Sequence, residues 1–337
     1  MKAIVQTRYG EPQDVLELRE IDTPEIGNDE VLVRVRATSV HADVWHVVSG
    51  RPILVRLMGA GLFRPKDPVP GTDLAGVVES VGKDVNRFKV GDAVFGESHM
   101  KMQWRNGGTF AECAAVPEGA LELKPENVSF EQAASVPTSG YIALINLIGS
   151  AEVQPGHRVL INGAGGGVGS IALQVAKARG ATVTAVDRAD KLEMLRSLGA
   201  DQVIDYCQED FTRGAERYDL IFDVASTLSL KDCKRVLSPT GTYVIIGHEH
   251  YGAAGGRLLG SLPHFFKLMA LAPFDRHLPA LSFSVPGKTE IMTELMELLE
   301  AGKITPVIDR TFPLSEVPEA MRYLQGGHAR GKIVITI

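Results

Sequence analysis

The glycine-rich stretch GAGGGVG at residues 163–169 is the pattern in this sequence with the clearest chemical meaning. It follows the short apolar run RVLIN, and after it apolar residues recur at helical spacing: Val168, Ile171, Ala172 and Val175. A strand, a glycine-rich turn and a helix in that order form a site where backbone N–H groups bind the pyrophosphate of a dinucleotide. The sequence therefore predicts a nicotinamide dinucleotide site here.

The positions of this loop have separate predicted roles. Gly166 allows the pyrophosphate to approach the backbone closely, and Gly169 allows the helix to pack on its strand. Ala164 stands where the tight-turn glycine is usual, and the adjacent glycines are expected to supply the flexibility that the turn needs. The residues predicted to contact the cofactor are Ala164, Gly165, Gly166, Gly167, Val168 and Gly169.

Two charged residues at the end of the next predicted strand bear on the choice of cofactor. Asp187 is placed to accept hydrogen bonds from the adenosine ribose, which favours NADH. Arg188 comes directly after it and is suited to the 2′-phosphate of NADPH. The two residues favour opposite cofactors; we predict NAD(P)H, with a preference for NADH.

The order of the predicted elements indicates an α/β fold with two parts. The first third contains β-branched runs such as KAIVQT and EVLVRVRATSV, separated by glycine and proline, which is typical of a mostly-β barrel or sandwich. From about residue 125, strands alternate with helices, which predicts a doubly wound parallel sheet. The closing run KIVITI is suited to pair with the N-terminal β unit.

Composition limits the classes of function. With 337 residues the chain is long enough for two domains, and its net charge of -6 gives no basic surface for nucleic acid or an anionic membrane. The three cysteines have no CxxC spacing, which argues against a disulfide framework and a cysteine-built zinc site: Cys113, Cys207 and Cys233. Without an apolar signal core or membrane span, we predict a soluble cytoplasmic protein with no nucleic-acid or membrane partner.

Motifs along the whole chain resemble those of the medium-chain dehydrogenase/reductase superfamily. They are PGTDLAGVVESVG, FKVGDAVFG, GGTFAECAAVP, SVPTSGYIAL, LGADQVIDY and HARGKIVITI, together with the glycine-rich loop. In combination they are most similar to the zinc-independent, zeta-crystallin-like quinone oxidoreductases. The resemblance implies a homodimer whose active site lies in a cleft between two domains.

The resemblance also implies where those domains lie. We expect a GroES-like catalytic domain from residues 1–124 and 286–337, with a Rossmann cofactor-binding domain from residues 125–285 between them. Residues 248–285 are glycine-rich and then apolar. Two interpretations of that segment are open: a loop followed by a core helix, or a lid or oligomer surface over the cleft.

The zinc-dependent alcohol dehydrogenases of the same superfamily use metal ligands that this chain lacks. Val40, Thr72 and Ser135 stand at the places of the three catalytic ligands. Residues 97–113, which correspond to the structural zinc lobe with its four cysteines, contain Cys113 alone. Without a Lewis acid to stabilise an alkoxide, alcohol oxidation is disfavoured.

A metal site built from other residues is the alternative. Histidines and carboxylates cluster near one predicted strand end and in the GTD motif: His41, Asp43, His46 and Asp73. Such residues are more often polar loop residues than metal ligands. We predict no metal site and no zinc.

A nicotinamide without zinc suits acceptors whose product charge is delocalised, namely quinones and α,β-unsaturated carbonyls. His41 stands where related quinone reductases usually have Asn, and it is placed to bind the carbonyl or supply a proton. Trp45 is expected to form an aromatic wall, and Thr138 and Ser139 resemble the turn that faces the nicotinamide in the family. A loop histidine and a core tryptophan are the alternatives.

Further cofactor contacts follow from the resemblance and from the strand ends. Tyr206 matches a residue near the adenosine in relatives, and Lys332 matches one that approaches the cofactor or the cleft. Asp223, Val224 and Gly247 end predicted strands, where open α/β sheets bind ligands.

Two other functions remain open beside the reductase. One is an alcohol dehydrogenase that works without metal, and the other is a non-catalytic dinucleotide-binding protein with a structural or sensing role. Turnover of the cofactor with an acceptor separates these hypotheses.

Overall fold

The computed structural model describes residues 1–100, 104–246, 262–279 and 286–337. Its strands in chain order are β1 (Lys2–Gln6), β2 (Leu16–Glu20), β3 (Glu30–Val40), β4 (Asp73–Val81), β5 (Ala93–Glu97), β6 (Cys113–Pro117), β7 (Leu121–Leu123), β8 (Arg158–Asn162), β9 (Thr182–Asp187), β10 (Gln202–Asp205), β11 (Tyr218–Asp223), β12 (Leu237–Ile245), β13 (Ile308–Pro313) and β14 (Lys332–Thr336). Its α-helices are α1 (Pro12–Val15), α2 (Ala42–Ser49), α3 (Phe130–Ala134), α4 (Pro137–Leu144), α5 (Gly167–Ala178), α6 (Leu192–Ser197), α7 (Leu230–Val236), α8 (Leu262–Leu271), α9 (Lys288–Glu300) and α10 (Val317–Gln325).

A seven-stranded sheet gathers strands from both ends of the chain. Its order is β13-β14-β3-β4-β5-β7, and β6 also pairs with β3. The closing strand β14 pairs antiparallel with β3, as the sequence pattern predicts, and parallel with β13. Along β3, Val31, Val33 and Val35 are buried while Arg34 and Arg36 are exposed, so the period-two pattern packs one face against the core.

The second large sheet has five strands, all parallel, in the order β10-β9-β8-β11-β12. Its central strand β8 is buried from Val159 to Asn162, as expected for a parallel sheet covered on both faces. The helix predicted after the glycine-rich loop is α5. Together the two sheets confirm the predicted fold class, a GroES-like mostly-β unit with a Rossmann unit.

The two sheets meet at the glycine-rich loop. The Gly331 N–H, directly before β14, donates to the Gly165 carbonyl over 2.8 Å. One core cluster includes Ala37, Ala75 and Val334 from the seven-stranded sheet and Val168 from α5. The start of β14 is therefore held against the start of α5.

The segment at residues 248–285 is described in part. Gly247, a predicted cofactor residue, lies outside the described residues, as do 248–261 and 280–285. Within 262–279 the chain forms α8, but this is not the core helix considered above. Leu268 is buried, whereas Phe265 and Phe266 are about half exposed. Among the described residues, no helix has both the length and the apolar character needed to cross a bilayer.

Candidate active site

A cleft with a cavity volume of about 520 Å³ lies where the glycine-rich loop meets β14 and the start of α2. It is bounded by the carboxyl-terminal edge of the parallel sheet, which is where open α/β sheets bind ligands. Six of the predicted site residues line it: His41, Gly166, Gly167, Val168, Val224 and Lys332. The structure therefore brings the predicted loop, the predicted histidine and the predicted lysine to one cavity.

The glycine-rich loop turns at Gly163 rather than at Ala164. Gly163 has a φ of 80°, a left-handed conformation that favours glycine, and Ala164 is buried behind it. A Cβ on Gly169 would lie 2.2 Å from the Gly163 carbonyl oxygen, so close packing of α5 requires glycine there. A Cβ on Gly166 would have the same oxygen, at 3.7 Å, as its nearest neighbour, so the space in front of Gly166 is open.

The start of α5 fits the pyrophosphate of a dinucleotide. Gly166 caps this helix without a side-chain hydrogen bond, which leaves its first N–H groups for a ligand. A Cβ on Gly167 would lie 3.1 Å from the Ser139 hydroxyl oxygen and 2.7 Å from Lys332 Cδ. That hydroxyl is buried and has no hydrogen-bond partner among the described residues. An unsatisfied hydroxyl and a lysine therefore accompany the helix start.

Asp187 does not have the surroundings predicted for a ribose-binding acid. Its Oδ2 accepts from the Gly165 N–H at 2.7 Å, and its Oδ1 accepts from the Arg188 N–H at 2.9 Å. Lys191 Nζ lies 3.5 Å from Oδ1. The side chain is nearly buried, and its oxygens are directed to the protein.

Cationic side chains gather beside Asp187. Arg188 Nη1 lies 2.7 Å from His328 Nδ1, and its Nε donates to Asp190 over 3.1 Å. Arg330 Nη2 lies 3.6 Å from the same carboxylate. Tyr206, predicted at the adenosine end, is 52% exposed, and its N–H donates to the Asp187 carbonyl.

Three residues of this group beside Asp187 were missed from the sequence: Lys191, His328 and Arg330. The signal for Lys191 was its place four residues after Asp187, and the signal for the other two was the basic HARG motif. Lys191 also lines the cleft.

Asp223 is a correction to the predicted cofactor residues. It is fully buried, and protein groups occupy its carboxylate: Asn162 Nδ2, the Ser226 and Leu228 N–H groups and the Tyr243 hydroxyl. Burial raises the pKa of this carboxyl, although these hydrogen bonds oppose the rise. The residue closes the loop after β11, and its neighbour Val224 lines the cleft.

His41 caps the N-terminus of α2 at the cleft wall. Its Nδ1 accepts from the Asp43 N–H at 3.3 Å and lies 3.4 Å from Asp43 Oδ2. With Nδ1 as the acceptor, the neutral ring carries its proton on Nε2, which can donate to a ligand. His46, one turn further along α2, also lines the cleft.

Trp45 is a second correction. It is 1% exposed and belongs to a hydrophobic cluster with Val44, Val48 and Phe312. The indole packs in the core of the β unit, so the predicted aromatic wall of the cleft is not formed by this residue.

Thr138 is a third correction. Its N–H and its hydroxyl both donate to Asp73 Oδ1, over 2.9 and 2.5 Å. Thr138 is buried, and the neighbouring Ser139 lines the cleft instead. Thr138 is therefore bonded to Asp73 rather than directed at the cleft.

Asp73, at the start of β4, has no solvent exposure and accepts hydrogen bonds from three other elements, β3, α4 and β14. Its Oδ2 accepts from the Ser39 hydroxyl at 2.5 Å and from Lys332 Nζ at 3.2 Å. Burial works to raise the pKa of this carboxyl, but the charge of Lys332 and the hydrogen bonds from Ser39 and Thr138 oppose burial, and the pKa is held below its ordinary value. Asp73 is thus a buried anion beside the cleft.

A second buried ion pair joins β5 to α9. Lys288 Nζ contacts Glu97 Oε2 and lies 4.1 Å from the centre of the Tyr141 ring. Burial raises the pKa of the Glu97 carboxyl despite the lysine. Nothing in the sequence pattern indicated this pair, because its partners are far apart in the chain.

The residues at the positions of the alcohol dehydrogenase zinc ligands make ordinary contacts within the protein. Thr72 Oγ1 lies 3.5 Å from Thr138 Oγ1, and the Ser135 hydroxyl donates to the Gln132 carbonyl. In the described part of the chain, no three His, Cys, Asp or Glu side chains lie together as a metal site would require.

Known proteins are similar to this chain over its whole length. Residues 27–126 match the family described as "Alcohol dehydrogenase GroES-like domain", and residues 198–335 match "Zinc-binding dehydrogenase". The 2-methylene-furan-3-one reductase of Solanum lycopersicum is 35% identical over 99% of this chain and 79% of its own. The NADPH-dependent alkenal/one oxidoreductase of Arabidopsis thaliana is 33% identical over the same shares.

A solved structure extends the similarity to the fold. The quinone oxidoreductase from Coxiella burnetii superposes with a TM-score of 0.80 at 30% identity, covering 100% of this chain and 99% of its own. These identities, over nearly complete chains, show family membership. The chain therefore belongs to the medium-chain dehydrogenase/reductase superfamily, in its quinone oxidoreductase branch.

Proposed function

We propose that this protein is an NAD(P)H-dependent reductase that transfers a hydride to a quinone or an α,β-unsaturated carbonyl without the help of zinc. The observation that carries the proposal is the cleft itself. One cavity combines a glycine-rich helix start that fits a pyrophosphate, the cation Lys332 and the hydrogen-bond donor His41. The relatives are named as reductases or oxidoreductases of a furanone, of alkenals and of quinones, and these names support the same class of reaction.

The residues that would hold the cofactor follow from the fit described above. The first N–H groups of α5 and the Lys332 ammonium bind the pyrophosphate, because both present positive charge at one place. The Ser139 hydroxyl satisfies its hydrogen bond on the cofactor. When bound, the nicotinamide supplies the hydride, and the chain's residues supply binding and orientation.

His41 acts on the acceptor. Its Nε2–H donates a hydrogen bond to the carbonyl oxygen on which negative charge develops during reduction. The donor is already in position, because Nδ1 is held by the Asp43 N–H at the start of α2.

The walls of the cleft favour an apolar acceptor. Aliphatic side chains from both units contribute to them: Val40, Ile142, Val168, Val224, Ile246 and Ile333. A planar quinone or an enone buries its carbon skeleton against such walls, while its oxygen needs few polar partners.

NADPH is the preferred cofactor in this proposal, in place of the NADH preference predicted from the sequence. The Asp187 carboxylate is occupied by the Gly165 and Arg188 N–H groups, so it is not free to bind the ribose. Arg188, Lys191 and the basic side chains of His328 and Arg330 surround that position. The positive charges of Arg188, Lys191 and Arg330 compensate a dianionic 2′-phosphate there.

The remaining parts of the proposal rest on the family resemblance. We place the catalytic domain at residues 1–124 and 286–337 and the cofactor-binding domain at residues 125–285. The active form is a homodimer located in the cytoplasm.

The test is a turnover assay on the metal-stripped protein. NADPH or NADH is mixed with an ortho-quinone or a simple enone, and the loss of nicotinamide absorbance is followed. A primary alcohol with oxidised cofactor is the control reaction. We expect rapid oxidation of NADPH by a quinone or enone without metal.

Two outcomes would replace the proposal with an alternative. If the dinucleotide binds but no acceptor consumes it, the protein is a non-catalytic dinucleotide-binding protein. If the alcohol alone reacts, it is an alcohol dehydrogenase, and the dependence of that reaction on added zinc decides whether it is metal-free.

A further inference from the structure

Asp73 is the point at which four separate elements meet in the protein interior. It begins β4, and its carboxylate accepts from Ser39 on β3, from Thr138 on α4 and from Lys332 on β14. Its exposure is 0%. A buried carboxylate with this many directed partners has one orientation, and it fixes the orientation of the groups that donate to it.

Lys332 leads from this carboxylate to the cofactor loop. Its ammonium is bonded to Asp73, and its methylene groups lie over Gly167 at the start of α5. Lys332 is 5% exposed, yet it lines the cleft. Burial of a lone charge costs far more than burial of an ion pair, so the Asp73 carboxylate stabilises the Lys332 ammonium in this buried place.

The other carboxylates near Lys332 have lysine partners of their own. Glu97, the other buried carboxylate nearby, is bonded to Lys288. Asp187 is bonded to the loop N–H groups and lies near Lys191. Among the described residues, Asp73 is the carboxylate with which Lys332 forms an ion pair.

We propose that Asp73 is a positioning residue for cofactor binding, which acts by holding the Lys332 side chain in place over the start of α5, where the dinucleotide pyrophosphate would bind. This inference rests on the proposed function, since it assumes that a dinucleotide occupies the start of α5. It assigns to the carboxylate of the GTD motif an effect on cofactor affinity although Asp73 itself does not contact the cofactor.

The experiment is a double-mutant cycle read out by binding rather than turnover. The dissociation constant of NADPH is measured by calorimetry for the wild type, Asp73→Asn, Lys332→Met and the double variant. We expect each single variant to weaken binding by about 10- to 100-fold, the usual range for one charged hydrogen bond. The double variant should bind no more weakly than Lys332→Met, because Asp73 acts through the lysine.

The control is a lysine–aspartate ion pair at the surface of the Rossmann unit. Lys177 Nζ lies 2.8 Å from Asp201 Oδ2. The variants Lys177→Met and Asp201→Asn should leave the dissociation constant within about twofold of wild type, since such exposed pairs contribute little. Circular dichroism and thermal melting check the fold of every variant.

The outcomes separate the inference from the function on which it rests. If the wild type binds no dinucleotide, the proposed function fails. If the wild type binds and Asp73→Asn binds equally well, or if the two effects add in the double variant, the positioning role is wrong. If Asp73→Asn alone does not fold, Lys332→Met is compared with the double variant, in which neither buried charge is left unpaired. A further loss of affinity in the double variant then overturns the inference.

Discussion

The Asp187 carboxylate accepts a hydrogen bond from the Gly165 N–H over 2.7 Å, which closes the end of β9 onto the glycine-rich loop. The acid that the sequence placed at the cofactor's ribose is thus part of the loop's own structure. Beside it lies the Arg188 guanidinium, which contacts both Asp190 and His328.

Arg188→Ala should therefore change the cofactor preference. We expect kcat/KM with NADPH to fall by about 10- to 100-fold, because a charged hydrogen bond to the 2′-phosphate is lost. With NADH the value should stay within about twofold. The measurement is the ratio of the two kcat/KM values.

Arg196→Ala is the matched control for this change. Arg196 is an exposed arginine of α6 that pairs with Glu193 at 3.4 Å. Its removal should leave the ratio unchanged. An unchanged ratio in Arg188→Ala as well would show that the 2′-phosphate is not bound at this position.

His41 should distinguish hydrogen bonding from simple packing at the acceptor. His41→Ala removes the donor, and we expect kcat to fall by about 100-fold, as for the loss of an oxyanion donor elsewhere. His41→Asn keeps both a donor and the capability to cap α2, so it should retain most of the activity. The dissociation constant of NADPH should not change in either variant.

The control for His41 is His157→Ala, a change at a surface histidine that interacts with the Gln154 N–H. It should leave kcat at the wild-type value. Equal activity of His41→Ala and wild type would remove His41 from the mechanism.

Gly166 should report whether the pyrophosphate approaches the loop. Because a Cβ there has its nearest neighbour at 3.7 Å, Gly166→Ala should fold normally. The added methyl group would stand where the ligand comes closest, so we expect the affinity for NADPH to fall by about tenfold or more. Calorimetry measures the affinity, and thermal melting measures the stability.

Gly287→Ala provides the comparison, because a Cβ at Gly287 would meet nothing within 4 Å and this residue caps α9 away from the loop. It should leave the affinity for NADPH unchanged, and any loss of stability, as at the Gly166 N-cap of α5, is that of an alanine at an N-cap. NADPH binding by Gly166→Ala with wild-type affinity would contradict the placement of the pyrophosphate.

The sequence was sufficient for those parts of the site that are local in the chain. The strand, turn and helix around residues 163–169 are contiguous, so their spacing alone predicted the loop. The pairing of β14 with β3 also followed from pattern, because KIVITI can bury its apolar face in the β unit.

The sequence was insufficient for predicting which of two neighbouring side chains faces the cleft and which faces the core. Trp45 and His46 are neighbours on α2, yet Trp45 packs in the core and His46 lines the cleft. On α4, Thr138 is likewise bonded to Asp73 while the next residue, Ser139, lines the cleft. The contact between Arg188 and His328 spans 140 positions, and such a pair has no periodic signal in a single sequence.

Trp45→Ala tests the correction to the predicted aromatic wall. Because the indole is buried among aliphatic side chains, we expect the free energy of unfolding to fall by about 3–5 kcal/mol. The kcat of the folded fraction at low temperature should stay within about twofold of wild type. Denaturant titration gives the stability, and a fall in kcat/KM for the acceptor without loss of stability would restore Trp45 to the cleft.

His99 gives a prediction about stability and pH. Burial and the nearby charge of Arg105 lower the pKa of this histidine below its ordinary value of 6.5. Below about pH 6.5 the unfolded chain therefore binds a proton that the folded chain does not, so the contribution to stability is complete above that pH and decreases as the pH falls.

His99→Gln removes this titration. We expect the free energy of unfolding to fall less steeply in the variant than in the wild type between about pH 7 and about pH 5, because one uncompensated protonation is lost. Urea denaturation at a series of pH values gives the two slopes. If they are equal, the folded chain accepts the proton as readily as the unfolded chain, and His99 is not held neutral by its surroundings.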